Sequence, residues 1–100
     1  MRVRHKSDIL ARIEAEKGYT AEGSYSKEVI RGFRKAMGYI RQAVDERDIR
    51  NARALHYHKL QPPRDHQFAV NVSDQFRLIL EWGGADSEKT ITVVGIEDYH

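Results

Sequence analysis

The chain has 100 residues, a formal net charge of +2 and no cysteine. This is the size of one domain, so we expect a single domain over residues 1–100, and the lack of cysteine excludes disulfides and thiolate metal sites. No apolar run approaches the ~18 residues of a membrane span and the first residues lack the apolar region of a signal peptide, so we expect a cytoplasmic protein without membrane contact.

The first predicted element is a helix that Ser7 or Asp8 can cap. Ile9, Leu10 and Ile13 give it an apolar face at helical spacing, and we expect it to end near Gly18. A glycine- and tyrosine-rich loop follows.

The second predicted helix begins at Ser26 and is the longest element. Its apolar positions fall on one stripe, formed by Val29, Phe33, Ala36, Met37, Ile40 and Val44. Its exterior is basic and includes Lys27, Arg31, Arg34, Lys35 and Arg41. A short extra turn is predicted between Ile49 and Ala54.

Charge is distributed unevenly along the chain. Residues 1–53 carry a net charge of +5 and residues 54–100 a net charge of −3. A basic helical half indicates a surface that attracts phosphates. The alternative is that these lysines and arginines only solvate the helices.

From Leu55 the pattern changes to period two, which predicts strands. The predicted strands are 55–60, 68–72, 76–82 and 89–98, with a turn at Pro62–Asp65 and a loop at 83–87. No first strand is evident in Met1–Lys6.

The polarity of the side chains decides the register of the hairpin between the predicted strands 68–72 and 76–82. A two-residue loop at Ser73–Asp74 would put Arg77 opposite Val70, on the apolar face. A three-residue loop, or a bulge that adds one residue, pairs Val70 with Phe76 and Ala69 with Arg77, which keeps one face apolar. We therefore predict the second register, with Asn71, Gln75 and Arg77 on the face away from the core.

Two clusters of side chains can transfer protons or bind anions. The first is the segment His56–Lys59, and the second is Arg77 together with the final residues Asp98, Tyr99 and His100. Cleavage of RNA without a metal needs a base for the 2′-hydroxyl, an acid for the 5′-oxygen and cations for the phosphorane, and these residue types can supply all three.

Plainer interpretations of the same residues remain open. Lys59 can be a solvated strand lysine, Arg77 a cross-strand partner of an acidic residue, and Tyr99 a half-buried edge aromatic. His56 and His58 resemble a pair of metal ligands, but no third ligand has diagnostic spacing, so we expect no metal and no cofactor.

Three motifs together resemble the HigB-like branch of the RelE/ParE toxin superfamily. They are the run Leu55-His56-x-x-Lys59-Leu60, the hairpin from His66 to Leu78, and the ending Ile96-Glu97-Asp98-Tyr99-His100. The resemblance covers roughly residues 26–100 and is strongest from residue 55 onward.

The resemblance implies an α+β fold, with two N-terminal helices packed on a small, mainly antiparallel sheet of three to four strands. It implies the toxin of a type II toxin–antitoxin system, which cuts mRNA in the ribosomal A site. It also implies a helix-turn-helix antitoxin as partner, through which operator DNA is bound only indirectly.

Carried over to this chain, the resemblance implies catalytic roles for six residues and RNA binding for six more. The catalytic set is His56, Lys59, Arg77, Asp98, Tyr99 and His100. The RNA-binding set is Lys27, Arg31, Arg34, Arg41, Arg64 and Asn71. Asn71 departs from the family, which commonly has Arg there.

Two alternatives to the nuclease stay open. The first is a non-catalytic module with a toxin-like fold that only binds an antitoxin or another protein. The second is a gyrase-directed toxin of the same superfamily, against which the proton-transfer groups argue.

Overall fold

The computed structural model describes residues 1–84 and 89–99, so His100 and most of the predicted 83–87 loop lie outside the described residues. A single 3-10 turn, Arg53–Leu55, precedes the second strand. In chain order the other elements are β1 (Arg2–His5), α1 (Asp8–Ala15), α2 (Lys27–Gln42), α3 (Glu46–Asn51), β2 (His58–Lys59), β3 (Gln67–Asn71), β4 (Phe76–Gly83) and β5 (Thr90–Asp98).

The two long helices begin where their capping residues predict. The hydroxyl oxygen of Ser7 accepts a hydrogen bond from the Leu10 N–H, and that of Ser26 accepts one from the Val29 N–H. α2 ends at Gln42, so Val44 lies beyond the helix and is 84% exposed. Its predicted place on the apolar stripe is therefore wrong, whereas the other five stripe residues are buried.

The fold is α+β, as predicted, but the sheet has five strands in the order β1-β5-β4-β3-β2 and a third helix, α3, is present. The additional strand is β1, which pairs parallel to β5 with Val3 opposite Ile91. The other three strand pairs are antiparallel. The expected sheet of three to four strands was too small because β1 is short and rich in cations.

The predicted 55–60 strand is also shorter than expected. Only His58 and Lys59 pair with β3, while Leu55 is buried in the 3-10 turn. His56 ends that turn with φ of 48°, a left-handed conformation that interrupts an extended strand.

The β3–β4 hairpin has a longer connection than predicted. Val70 lies opposite Leu78 and Asn71 opposite Arg77, so the expected pairing was shifted by two residues. A shift of two leaves every side chain on the same face. The prediction that Asn71 and Arg77 share the face away from the core is therefore confirmed.

The core lies between the helices and one face of the sheet. It includes Leu10, Ile13, Phe33, Met37, Ile40, Leu78, Leu80, Ile91 and Val93, all of them buried. α2 approaches the end of β3 very closely at Gly32, where an added Cβ would lie 1.6 Å from the carbonyl oxygen of Val72. No helix among the described residues is long and apolar enough to cross a membrane.

Candidate active-site cleft

The sheet face opposite the helices, here called the open face, carries a small apolar floor. Ala69 of β3 lies directly opposite Ile79 of β4, and the two are 1% and 2% exposed. Apolar side chains on a face without helices become buried only if neighbouring side chains cover them. The floor therefore marks the base of a covered site.

An open cleft of about 220 Å³ lies over this floor. Its walls come from the segment after β2, from the start of β4 and from the end of β5. The residues around the floor are Leu60, Arg64, Arg77, Glu97, Asp98 and Tyr99. Three of these, Arg77, Asp98 and Tyr99, belong to the predicted catalytic set, and Arg64 belongs to the predicted RNA-binding set.

Arg77 is held in a defined orientation in the cleft. One terminal nitrogen, Nη1, donates hydrogen bonds to the carbonyl oxygens of Ser73 at 3.0 Å and Phe76 at 3.1 Å. The guanidinium carbon lies 4.2 Å from the centre of the Tyr99 ring, which is the geometry of a cation–π contact. A cation fixed in this way is preorganised to receive an anion.

Two buried polar atoms at this position have no hydrogen-bond partner among the described residues. They are Nε of Arg77 and Oδ1 of Asn71, on directly opposite residues of β4 and β3. A buried donor without a partner costs free energy unless a ligand or water satisfies it. The pair therefore leaves hydrogen-bonding capacity beside the cleft.

Arg64 is neutralised by an acidic neighbour across the cleft. Its two terminal nitrogens donate to the two carboxylate oxygens of Glu97, at 2.9 and 2.7 Å, and its Nε donates to Gln67. The hydrogen bond to Glu97 raises the pKa of Arg64 further above its usual value. The predicted turn at Pro62–Asp65 places Arg64 at this wall of the cleft.

The end of β5 is tied to the β3–β4 connection through Gln75. The side-chain amide nitrogen of Gln75 donates to Asp98 at 2.9 Å, and the backbone carbonyl oxygen of Gln75 accepts from the Tyr99 N–H at 2.7 Å. Tyr99 is 57% exposed, so much of its ring is accessible to a ligand. His100 follows Tyr99 directly in the sequence and lies outside the described residues.

None of the residues of the first predicted cluster lines this cleft. His56 is exposed at the end of the 3-10 turn, and its carbonyl oxygen accepts from the His58 Nδ1. Lys59 lies opposite Phe68 and therefore on the sheet face that carries the helices. The structure does not bring Lys59 into the cleft, whereas His58 lies on the open face, opposite Ala69.

The basic residues of α2 lie in the helical layer and not on the open face. The guanidinium of Arg34 donates to four carbonyl oxygens that follow or end α1, those of Ile13, Glu16, Lys17 and Tyr19. Arg41 makes two 2.8 Å bonds to Glu14. Both guanidiniums thus hold α1 against α2, while Lys27 and Arg31 are exposed.

Sequence reasoning missed the floor and one wall of the cleft, namely Leu60, Ala69, Ile79 and Glu97. The signal was present in the alternation of β3 and β4. Ala69 and Ile79 interrupt the polar side of both strands, and a cross-strand pair of apolar residues on a polar face indicates that something covers it.

No protein-family model and no curated protein matches the sequence. Among solved structures, the chain is similar to a YoeB/ParE toxin from Agrobacterium tumefaciens, with a TM-score of 0.56 and 11% sequence identity over 100% of both chains. At this identity the similarity concerns the fold. The protein therefore shares the fold of this YoeB/ParE toxin.

Proposed function

We propose that the protein is the toxin of a type II toxin–antitoxin system, and that it is a HigB-like, ribosome-dependent endoribonuclease. The observation that carries this proposal is the cleft on the open face, in which a preorganised Arg77 lies beside an exposed Tyr99. The toxin-like fold supports the same conclusion.

The proposed reaction needs no metal. A base removes the proton of an RNA 2′-hydroxyl, the 2′-oxygen attacks the adjacent phosphorus, and an acid protonates the departing 5′-oxygen. The products are a 2′,3′-cyclic phosphate and a 5′-hydroxyl. Negative charge accumulates on the phosphorane, where a guanidinium gives most of its stabilisation.

The roles of the residues follow from their chemistry. Arg77 holds the phosphate and stabilises the phosphorane, and Tyr99 stacks on or hydrogen-bonds a nucleotide. Asp98 orients a neighbouring cation or imidazole. His100, which follows Tyr99 in the sequence, transfers protons, because an imidazole can act as both general base and general acid. His56, which lies outside the cleft, is the other imidazole that the sequence offers for this role. Lys59 lies on the helical side of β2, so any contact that it makes with the phosphate backbone lies outside the cleft.

The partners follow from the same proposal. A helix-turn-helix antitoxin neutralises the protein and binds operator DNA. Lys27 and Arg31, exposed on α2, contact ribosomal RNA or acidic parts of the antitoxin. The protein acts in the cytoplasm, on mRNA in the ribosome.

A non-catalytic binding module is the second candidate, and two observations favour it. Glu97 neutralises Arg64, and position 71 carries an uncharged side chain. Arg77 then remains as the cation that faces the cleft without a carboxylate partner among the described residues. A single cation attracts phosphate only weakly, because each missing phosphate contact means that about one fewer counterion is released on binding.

The decisive experiment is expression of the wild type and of His100→Ala, Arg77→Ala and Arg77→Lys, with mapping of mRNA 5′ ends. We expect A-site cuts with the wild type, none with the two alanine variants, and strongly reduced cutting with Arg77→Lys, which keeps the charge but loses the guanidinium geometry. Circular dichroism checks that each variant folds, and Lys17→Gln serves as a surface control.

Each alternative has its own outcome in this experiment. Growth arrest that persists in the folded His100→Ala and Arg77→Ala variants would identify a binding module. Inhibited supercoiling with intact mRNA would identify a gyrase-directed toxin. Uncut mRNA with the wild-type protein on translating ribosomes would overturn the proposed nuclease.

A further inference from the structure

β1 and Lys6, the residue that follows it, place three cations in a row on the open face. Val3 and His5 alternate with Arg2, Arg4 and Lys6, and Val3 pairs with the buried Ile91 on the helical side. The intervening cations therefore project to the face that carries the cleft. These three residues are here called the β1 row, and all three are exposed.

We propose that the β1 row binds the phosphate backbone of a single-stranded RNA whose other end occupies the cleft. The proposal rests on the proposed function, because it extends the same RNA-binding face, but it concerns binding and not cleavage. None of the three residues was among the RNA-binding residues that the sequence predicted.

The neighbours of the β1 row are suited to phosphates. Arg4 on β1 lies opposite Thr92 on β5, and Thr92 in turn lies opposite Glu81 on β4. The threonine hydroxyl thus lies between the guanidinium and the carboxylate. Threonine hydroxyls are common donors to phosphate oxygens. Arg2 and Arg4 have no ion-pair partner among the described residues, whereas Lys6 lies 3.6 Å from Glu81.

The acidic residues of the open face are already compensated. Gln67 donates to Glu81 at 2.7 Å and Lys6 lies beside it, and together with His66 these groups lower the pKa of Glu81. Glu97 is bound by Arg64. Among the described residues of this face, five cations therefore meet the three carboxylates of Glu81, Glu97 and Asp98, which leaves an excess of positive charge for a polyanion; the five are Arg2, Arg4, Lys6, Arg64 and Arg77.

The spacing fits a nucleic-acid strand. Alternate residues of a strand lie about 6.6 Å apart, similar to the spacing of successive phosphates along an extended single strand of RNA. Arg4 and Arg77 are separated by two strand spacings and by about four residues along the sheet, roughly 16 Å. At that spacing about three nucleotides would span the distance.

Charged residues on β1 also have a purely structural explanation. β1 is an edge strand with β5 as its one neighbour in the sheet, and cations on edge strands oppose edge-to-edge aggregation. That explanation predicts that removing the charges changes solubility but leaves RNA affinity as it was. The two explanations can therefore be separated by a binding measurement.

The test uses a fluorescent 2′-O-methyl oligouridine of about 12 nucleotides, long enough to span the face. The methyl group blocks the attacking hydroxyl, so binding is measured without cleavage. The dissociation constant is determined by fluorescence anisotropy over a series of salt concentrations. The row variant is Arg2→Gln/Arg4→Gln, and the control is Lys17→Gln/Arg53→Gln, which removes the same charge from two exposed residues of the helical layer.

We expect the row variant to lower the slope of log affinity against log salt by about 1.4, at about 0.7 per lost phosphate contact. At about 0.1 M salt this corresponds to roughly tenfold weaker binding or more. The control variant should bind like the wild type. A dinucleotide, which fills only the cleft, should bind the row variant and the wild type equally.

Several outcomes would overturn the proposal. Equal losses in the row and control variants would indicate an effect of net charge alone, and an unchanged slope in the row variant would leave only edge protection. A loss for the dinucleotide would place the effect in the cleft. If mRNA is not cut but the row variant loses affinity for the long oligonucleotide, the proposed nuclease fails and the RNA-binding row stands.

Discussion

Tyr57 is the centre of a hydrogen-bonded group on the helical side of the sheet. Its hydroxyl accepts from the Trp82 indole nitrogen at 2.6 Å and donates to Glu46 at 2.8 Å, and its ring stacks on Phe68 at 5.0 Å. This one side chain therefore connects α3, β3 and β4.

Tyr57→Phe keeps the stacking but removes both hydrogen bonds. We expect a loss of about 1–2 kcal/mol in the free energy of unfolding, because the Trp82 N–H is left without its acceptor. Urea denaturation measures the change. An unchanged free energy of unfolding would show that water replaces the hydroxyl at no cost.

The raised pKa of the Tyr57 phenol predicts a loss of stability at alkaline pH. Burial, together with the hydrogen bond to Glu46, raises the pKa of Tyr57 above its ordinary value. A raised pKa contributes stability that is complete below the ordinary value near 10 and is lost as pH rises toward the folded-state value. The free energy of unfolding of the wild type should therefore fall above about pH 10 more steeply than that of Tyr57→Phe.

The lowered pKa of Glu14 predicts a loss of stability in acid. Hydrogen bonds from Arg41, and then from His5, hold the pKa of Glu14 below its usual value. A lowered pKa contributes stability that is present above the usual value of 4.5 and is lost as pH falls through the folded-state value. Glu14→Gln should lower the free energy of unfolding by about 1–3 kcal/mol at neutral pH. Below pH 4.5 the variant should lose less stability with falling pH than the wild type does, as measured by thermal unfolding at a series of pH values.

The contact of α2 with the end of β3 depends on a missing side chain. Gly32→Ala would place Cβ 1.6 Å from the Val72 carbonyl oxygen, so the helix or the hairpin must move. We expect a loss of more than about 2 kcal/mol in the free energy of unfolding. Gly38→Ala, in the same helix with open space around it, should instead stabilise the protein by up to about 1 kcal/mol.

Urea denaturation of both glycine variants is the measurement. Because the two substitutions share a helix and a chemical change, their difference isolates the close approach at Gly32. Equal effects would mean that the hairpin adapts to a methyl group without cost.

Helices α1 and α2 could be predicted because their signals are local. The caps at Ser7 and Ser26 and the apolar stripe of α2 depend only on residues within one element. β1 could not, because its stability comes from pairing with β5 at the other end of the chain. Four residues in which two are arginines give no strand pattern of their own.

The candidate site was predictable only in part for a similar reason. Alternation correctly assigned Asn71 and Arg77 to the open face, but it does not reveal which strand lies beside which. The left-handed His56 changes the path of the chain before β2, and the two-residue β2 then presents Lys59 on the helical side.

The parallel pairing of β1 with β5 joins the first residues of the chain to its last strand. Deletion of residues 1–6 would remove the strand that covers one edge of β5 and expose part of the apolar surface at Ile91 and Val93. We expect a loss of more than about 3 kcal/mol in the free energy of unfolding, together with self-association. Thermal unfolding and size-exclusion chromatography measure the two effects.

The row variant Arg2→Gln/Arg4→Gln is the control for this deletion, since it keeps the strand and Val3. It should unfold at nearly the same temperature as the wild type. A stable, monomeric deletion variant would show that β1 is dispensable for the fold.

Trp82 is the one tryptophan of the chain, and its indole is anchored by Tyr57 on the side of the sheet opposite the cleft. Its fluorescence therefore provides a built-in optical reporter of the helical side. A protein that docks against the helices should shift its emission, whereas an oligonucleotide on the other side should leave the spectrum unaltered. One intrinsic fluorophore thus distinguishes the two kinds of ligand without any label.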